Sequence, residues 1–328
     1  MMLVRGLFIF VFSLFLNGCE VSYVTEQGLI YLAHLNRAKS IQEILKNPKK
    51  YKLSDEEVQK LKLIQDVQKY AIEKIGLKES QNYTKYIKLK DDRRAFVYLV
   101  LAAHKYELKP YYWDFPVSGR VPYKGFFELE KAKALGKELE SQGYDVSLRG
   151  SVAFSTLGWF SDPVNSSMLH LDDLEIMDLI FHEMTHDTVY FPGDSDFNES
   201  FATFVGSQTT LLYVTDKYGK NSKEVSLQKQ RISDSKIFSQ FVNQSVNQLK
   251  EKYKNIKTER ERNKVFKELK ESFKKLPLKT DQYLFFEKSK LNNAIILSFN
   301  TYYTSYGKFE KELQNISLKD FLEKYKNK

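Results

Sequence analysis

Phe181-His182-Glu183-Met184-Thr185-His186 sets two imidazoles four residues apart. On a helix these positions share a face one turn apart, so His182 and His186 can bind one Zn²⁺. Glu183 lies beside them, placed to take a proton from a water that such a metal activates. A catalytic zinc site needs three protein ligands and one open position. Thirteen residues after His186, Phe197-Asn198-Glu199-Ser200-Phe201-Ala202 offers Glu199 as the third.

The elements that must position these groups are readable around them. Leu171, Leu174, Met177, Ile180, Phe181 and Met184 recur at helical spacing and predict a buried helix over Leu171 to Val189. A surface helix with two solvated histidines is the plain alternative. Burial weighs against it, because buried imidazoles and a buried carboxylate need partners, which a metal supplies. Phe191-Pro192-Gly193-Asp194 ends this helix. A second apolar helix follows over Phe201 to Val214, so a helix–loop–helix returns Glu199 to the histidines. Asn198 or Thr203 can orient a ligand from behind.

These motifs carry a resemblance. His182-Glu183-x-x-His186 with Asn198-Glu199-Ser200-Phe201-Ala202 resembles the gluzincin peptidases, whose third ligand is a glutamate on the following helix. The chain from about Tyr23 onward is similar to the bacterial predicted aminopeptidase family. That likeness rests on Ser155 to Pro163 (STLGWFSDP), the HExxH segment, Asp196 to Ala202, Asn292-Asn293-Ala294, and Thr301-Tyr302. It implies a zinc-dependent peptidase with one Zn²⁺ and a peptide substrate. In gluzincins an edge strand beside the metal pairs with the substrate backbone, and Ala153 to Gly158 resembles that strand.

A zinc peptidase must also stabilise the oxyanion of its tetrahedral intermediate, commonly with a Tyr or His. The chain has 5 histidines and 21 tyrosines, so a tyrosine is the better candidate. Tyr302, Tyr303 and Tyr306 follow the apolar helix Leu291 to Ser298, and the resemblance selects Tyr302. An aminopeptidase further needs an acid for the substrate's free amine. Glu128, Glu130, Asp162 and Asp194 are candidates by position, and no Gly-x-Met-Glu-Asn segment is present. The alternatives are an endopeptidase or cell-wall peptide hydrolase, or a non-catalytic zinc-containing lipoprotein that binds a partner.

The chain's start specifies a destination. Arg5 and the apolar run Leu7 to Leu16 read as a secretory signal over residues 1–18, too short to span a membrane comfortably. Leu16-Asn17-Gly18-Cys19 resembles the bacterial lipobox, with Cys19 as the lipidated residue after cleavage. Cys19 is the only cysteine, so no intramolecular disulfide forms. Several acyl chains on one residue give stable anchoring. Glu20 does not resemble the aspartate that retains lipoproteins in the inner membrane. The expected location is the cell envelope, lipid-anchored, at the outer membrane facing the periplasm where two membranes exist.

The 328 residues suffice for a large core, and 42% hydrophobic with 14% aromatic content marks a folding sequence. The net charge of +9 comes from basic residues interleaved with acids, a solvated face and not a nucleic-acid groove. Residues 19–328 read as one zinc metallopeptidase domain, α+β and predominantly helical, with a small sheet next to the HExxH helix. A helix over Val21 to Asn47 opens it, and a second runs from a Ser54/Glu57 capping box to Gly76. Strands are expected at Ala95 to His104, in a Phe115 to Phe127 hairpin, at Tyr144 to Leu148 and at Ser151 to Phe160. Residues 220–279 read as a Lys-rich antiparallel helical arm, solvated outside. His34, His104 and His170 read as structural or surface residues.

Overall fold

In the computed structural model, residues 19–90, 93–115, 119–154 and 161–326 are described. Residues 1–18, read as a secretory signal, the Ser118 turn and the whole of Ser155 to Phe160 lie outside them, as does the side chain of Cys19.

Helix α1 (Cys19–Arg37) is followed by strand β1 (Lys39–Ser40) and helix α2 (Ile41–Lys46). One continuous helix was expected here. Pairing of Lys39 and Ser40 with Tyr86 and Lys85 of β2 (Lys85–Ile87) divides it. Between them, α3 (Asp55–Tyr70) starts at the Ser54/Glu57 capping box, where Glu57 N meets Ser54 Oγ at 3.1 Å. A π-turn carries α3 to Gly76, whose φ of 81° suits a residue without Cβ.

Strand β3 (Val97–His104) forms the middle of an antiparallel sheet. A small hairpin follows, of β4 (Trp113–Phe115) and β5 (Gly119–Val121). Strand β6 (Tyr123–Phe126) leaves that hairpin and pairs with β3. After helix α4 (Leu129–Ser141), strand β7 (Tyr144–Ser151) pairs along the whole of β3, giving the order β6-β3-β7 with β7 at an edge. The expected Tyr144–Leu148 strand runs on to Ser151; of the expected Ser151–Phe160 strand, Ala153 and Phe154 are outside any strand and Ser155 to Phe160 lie outside the described residues. Strand β8 (Val164–Asn165) joins β2 in parallel.

Helix α5 (Asp173–Thr188) opens with an Asp172/Glu175 capping box and runs back through the core. Helix α6 (Ser195–Tyr218) lies against it, and α7 (Lys223–Lys252) and α8 (Glu259–Phe273) follow. The short α9 (Leu284–Lys288) leads to α10 (Asn293–Tyr303), α11 (Tyr306–Leu313) and α12 (Leu318–Lys326). The protein is thus mostly helical with small sheets, α+β.

Two apolar clusters matter for the site. Ile64, Met177, Phe181, Phe201, Phe204, Phe309 and Phe321 fix α5 and α6 between α3 and the C-terminal helices. Phe238, Phe241, Leu249, Phe266, Phe286 and Ile296 bind α7 and α8 to α9 and α10. The Lys-rich segment therefore turns its inner faces into a core. Buried Arg262 of α8 pairs with buried Asp145 of β7 and donates from Nε to the Lys105 carbonyl at 2.9 Å. Among the described residues no helix is long and apolar enough to cross a membrane.

Candidate metal centre

His182, Glu183 and His186 all lie on α5, and Glu199 lies in the first turns of α6. Contact between the two helices depends on Gly206. A Cβ there would come 2.9 Å from the Asp178 carbonyl oxygen and 3.2 Å from the His182 nitrogen. The helices thus meet backbone to backbone one turn from the first histidine.

The connection between them is pinned by Asn198. Its Oδ1 accepts from Phe191 N and its Nδ2 donates to Phe191 O, both at 2.8 Å. Asn198 therefore orients the loop and not a candidate ligand. Thr203 does approach the site, with Oγ1 3.5 Å from His182 Nδ1. Asp194 caps α6 by accepting from Phe197 N at 3.0 Å.

Three donor atoms converge. His182 Nε2 and His186 Nε2 are 3.0 Å apart, and Glu199 Oε2 is 3.3 Å from the first and 3.7 Å from the second. Tetrahedral coordination with bonds of about 2.0–2.2 Å spaces neighbouring ligand atoms roughly 3.3–3.5 Å apart. The three observed edges bracket that spacing, so these residues fit a zinc ion. Among the described residues this is the one group of three or more His, Cys, Asp or Glu with such spacing. His186 Nδ1 is buried with no hydrogen-bond partner among the described residues.

The electrostatics separate the two glutamates. Burial works to raise Glu199, but His186 and His182 outweigh it and hold the carboxyl well below its usual range. Burial raises Glu183; the two imidazoles offset this in part, while Glu199 and Asp162 add to it. Burial works to lower His186, and the Glu199 carboxylate more than reverses this. Two carboxyls driven apart in one site is the arrangement that divides an anionic ligand from a proton acceptor.

Tyr302, in the last turn of α10, has its ring centroid 6.4 Å from that of His182, the two planes tilted by 31°. The Glu199 charge and burial hold its proton on, opposed in part by Arg149. Tyr303 points elsewhere: its hydroxyl meets Tyr283 at 2.9 Å. Tyr306 stacks edge-on with Phe204 in the core.

The four acids considered for a substrate amine are dispersed. Glu128 and Glu130 pair with Lys131 and Lys133 beside α4. Asp162, 2% exposed, accepts from the Tyr31 hydroxyl and lies close enough for its charge to reach Glu183. His34 bonds the Ile30 carbonyl at 2.8 Å, and His104 stands edge-on to Tyr144.

Other groups near the site escaped sequence reasoning. Asp187, directly after His186, accepts from Asn82 Nδ2 and Ser80 Oγ, both at 2.8 Å. Asn82 Oδ1 in turn accepts from Asp162 N at 2.9 Å, tying the end of α5 to the loop that carries Asp162. Tyr190 stands edge-on to His186 at 6.5 Å, and Arg149 sits 5.9 Å over the Tyr302 ring. Aspartate after the second histidine was the one local signal; the rest come from distant strands and loops.

Over residues 22–327 the chain matches the model of one protein family, described as "Putative aminopeptidase". Among curated proteins and among solved structures nothing matches.

Proposed function

The chain belongs to this putative aminopeptidase family, and from that premise we propose that it is a zinc-dependent peptide hydrolase acting at substrate N-termini. The family description supports peptide hydrolysis. The observation that carries the metal reading is the triangle of His182 Nε2, His186 Nε2 and Glu199 Oε2.

In this reading His182, His186 and Glu199 hold one Zn²⁺. When bound, the ion polarises the scissile carbonyl and acidifies water. Glu183 takes the proton of the attacking water and passes it to the leaving amine. Its raised proton affinity suits both halves of that task. Tyr302 keeps its proton and donates a hydrogen bond to the carbonyl oxygen as that atom gains charge. Thr203 orients His182 through Nδ1.

The same proposal makes residues 19–328 one peptidase domain, lipid-anchored through Cys19 in the cell envelope. The support is the apolar run and the Gly18-Cys19 junction. Blocking lipoprotein signal cleavage leaves a heavier precursor in cells; a normally cleaved chain refutes the anchor.

The deciding experiment pairs metal analysis with peptide cleavage for the chain from Glu20 onward. One zinc per chain is expected in wild type and in Glu183→Gln. Wild type cleaves peptides with free N-termini, and the variant is slower by about 10²–10⁴-fold. Cleavage of N-terminally blocked peptides makes the protein an endopeptidase. Absence of zinc refutes the mechanism.

A further inference from the structure

Arg149 presents a charge beside the candidate metal ligands that no acid meets among the described residues. It lies half-buried on β7, opposite Leu99 of β3. Its Nη1 donates to Ser298 Oγ at 3.3 Å, and its Cζ lies 6.0 Å from the Phe299 ring and 5.9 Å from the Tyr302 ring. Among the described residues no carboxylate pairs with it. Arg120, Arg231 and Arg262 each meet an aspartate.

Aromatic faces attract a guanidinium, but they cannot accept its in-plane N–H groups. Ser298 takes one of five such donors, and the Tyr302 hydroxyl engages a second. The remaining fork matches a carboxylate, which binds it through two parallel hydrogen bonds.

Tyr302 links this charge to the metal group. The two ring steps are 6.4 Å from His182 to Tyr302 and 5.9 Å from Tyr302 to Arg149, so the guanidinium lies within about 12 Å of the imidazole. An extended peptide covers about 3.3–3.6 Å per residue. For an extended peptide, a carboxylate at Arg149 therefore belongs to a residue no more than about three positions from a carbonyl held at His182 and His186.

We propose that Arg149 anchors the C-terminal carboxylate of short peptides, so that this site takes di- to tetrapeptides with a free C-terminus in preference to longer or amidated ones. The proposal rests on the peptidase reading of the same site and names its substrate class.

The test is a binding measurement that needs no turnover. Trialanine and trialanine amide are titrated calorimetrically into zinc-loaded Glu183→Gln protein, which leaves the peptides intact. The free acid is expected to bind about tenfold more tightly, the order set by one charge-assisted pair. Adding Arg149→Gln, which keeps a polar group near Ser298 but removes the charge, should bring the acid to the affinity of the amide and leave the amide unchanged. Equal binding of both peptides with Arg149 present, or a preference that survives Arg149→Gln, overturns the proposal. Equal weakening of acid and amide also overturns it, since Arg149 would then serve only to prop Tyr302. Hydrolysis by protein with Glu183 intact separates the two readings. An arginine-dependent preference without cleavage refutes the peptidase and leaves the anchor standing. Cleavage without that preference does the reverse.

Discussion

Glu199 sits between two imidazoles that hold it ionised, whereas Glu183 is buried with their partial help only. Glu199→Ala removes an anionic donor from the triangle and should weaken zinc binding by more than about 100-fold, since outer partners alone are worth 10–100. Metal content after dialysis measures this; unchanged zinc would remove Glu199 from the ligand set. Tyr302→Phe should keep zinc and lower kcat by about 10²–10³, the loss seen for one oxyanion donor. A rate within a factor of two of wild type would assign that role elsewhere. Asp178, also on α5, is pushed up to about 6 by burial, against help from Thr210, Arg231 and Gln228. Its folded value lies above its unfolded one, so stability is fully present below about pH 4 and falls as pH rises towards 6. Asp178→Asn keeps an acceptor for Gln228 Nε2, which stands 3.0 Å away. It should therefore gain stability relative to wild type between pH 4.5 and 7, read from urea midpoints. A constant difference across that range would show that Asp178 ionises freely.

The contact of α5 with α6 decides whether the residues at 182, 186 and 199 meet at all. Gly206→Ala forces a methyl against the Asp178 carbonyl and the His182 nitrogen. Overpacking of this kind costs about 1–3 kcal/mol. Zinc affinity should fall together with the melting temperature, and full zinc affinity in a folded variant would show that the helices separate harmlessly. The start of α3 was readable because caps are local: Ser54 meets Glu57 three residues on, and Asp172 meets Glu175 in the same way at the start of α5, a cap that went unread in the sequence. The break after Arg37 was not readable, since its cause is a strand pairing with residues 85 and 86. Asn198 was misassigned for a similar reason. Its proximity to Glu199 in sequence suggested a ligand contact, while the folded loop presents both polar groups of Phe191 to it.

Across the whole molecule, the Lys-rich helices are joined to the sheet that borders the site. Arg262 and Asp145 are 4% and 6% exposed at their side chains, and Asp145 also accepts from Asn293 N at 2.8 Å, the first residue of the helix that carries Tyr302. Removing one member of a buried pair leaves an uncompensated charge and costs about 3–5 kcal/mol. Arg262→Ala should lower stability by that order and loosen the start of α10. Denaturant titration checks the first effect and hydrogen exchange over residues 293–303 the second; a shift below about 0.5 kcal/mol would match a surface pair instead. Periodicity revealed two amphipathic helices in this segment, but no local pattern told which surface their apolar faces cover.

What the sequence by itself determined is local. A four-residue spacing puts two histidines on one helical face, caps start the helices, and apolar periods name the buried sides. Backbone geometry within one element requires nothing from the rest of the chain. Glu199 and Tyr302 were already named from the motif and the resemblance; only the tertiary structure gave the edges of the triangle, set Tyr303 and Tyr306 apart from His182, and brought Arg149 to face Tyr302 from a strand more than 150 residues earlier. Those meetings follow from how the helices share two apolar clusters and how the sheet is tied to them through Asp145, which depends on side chains summed over distant segments.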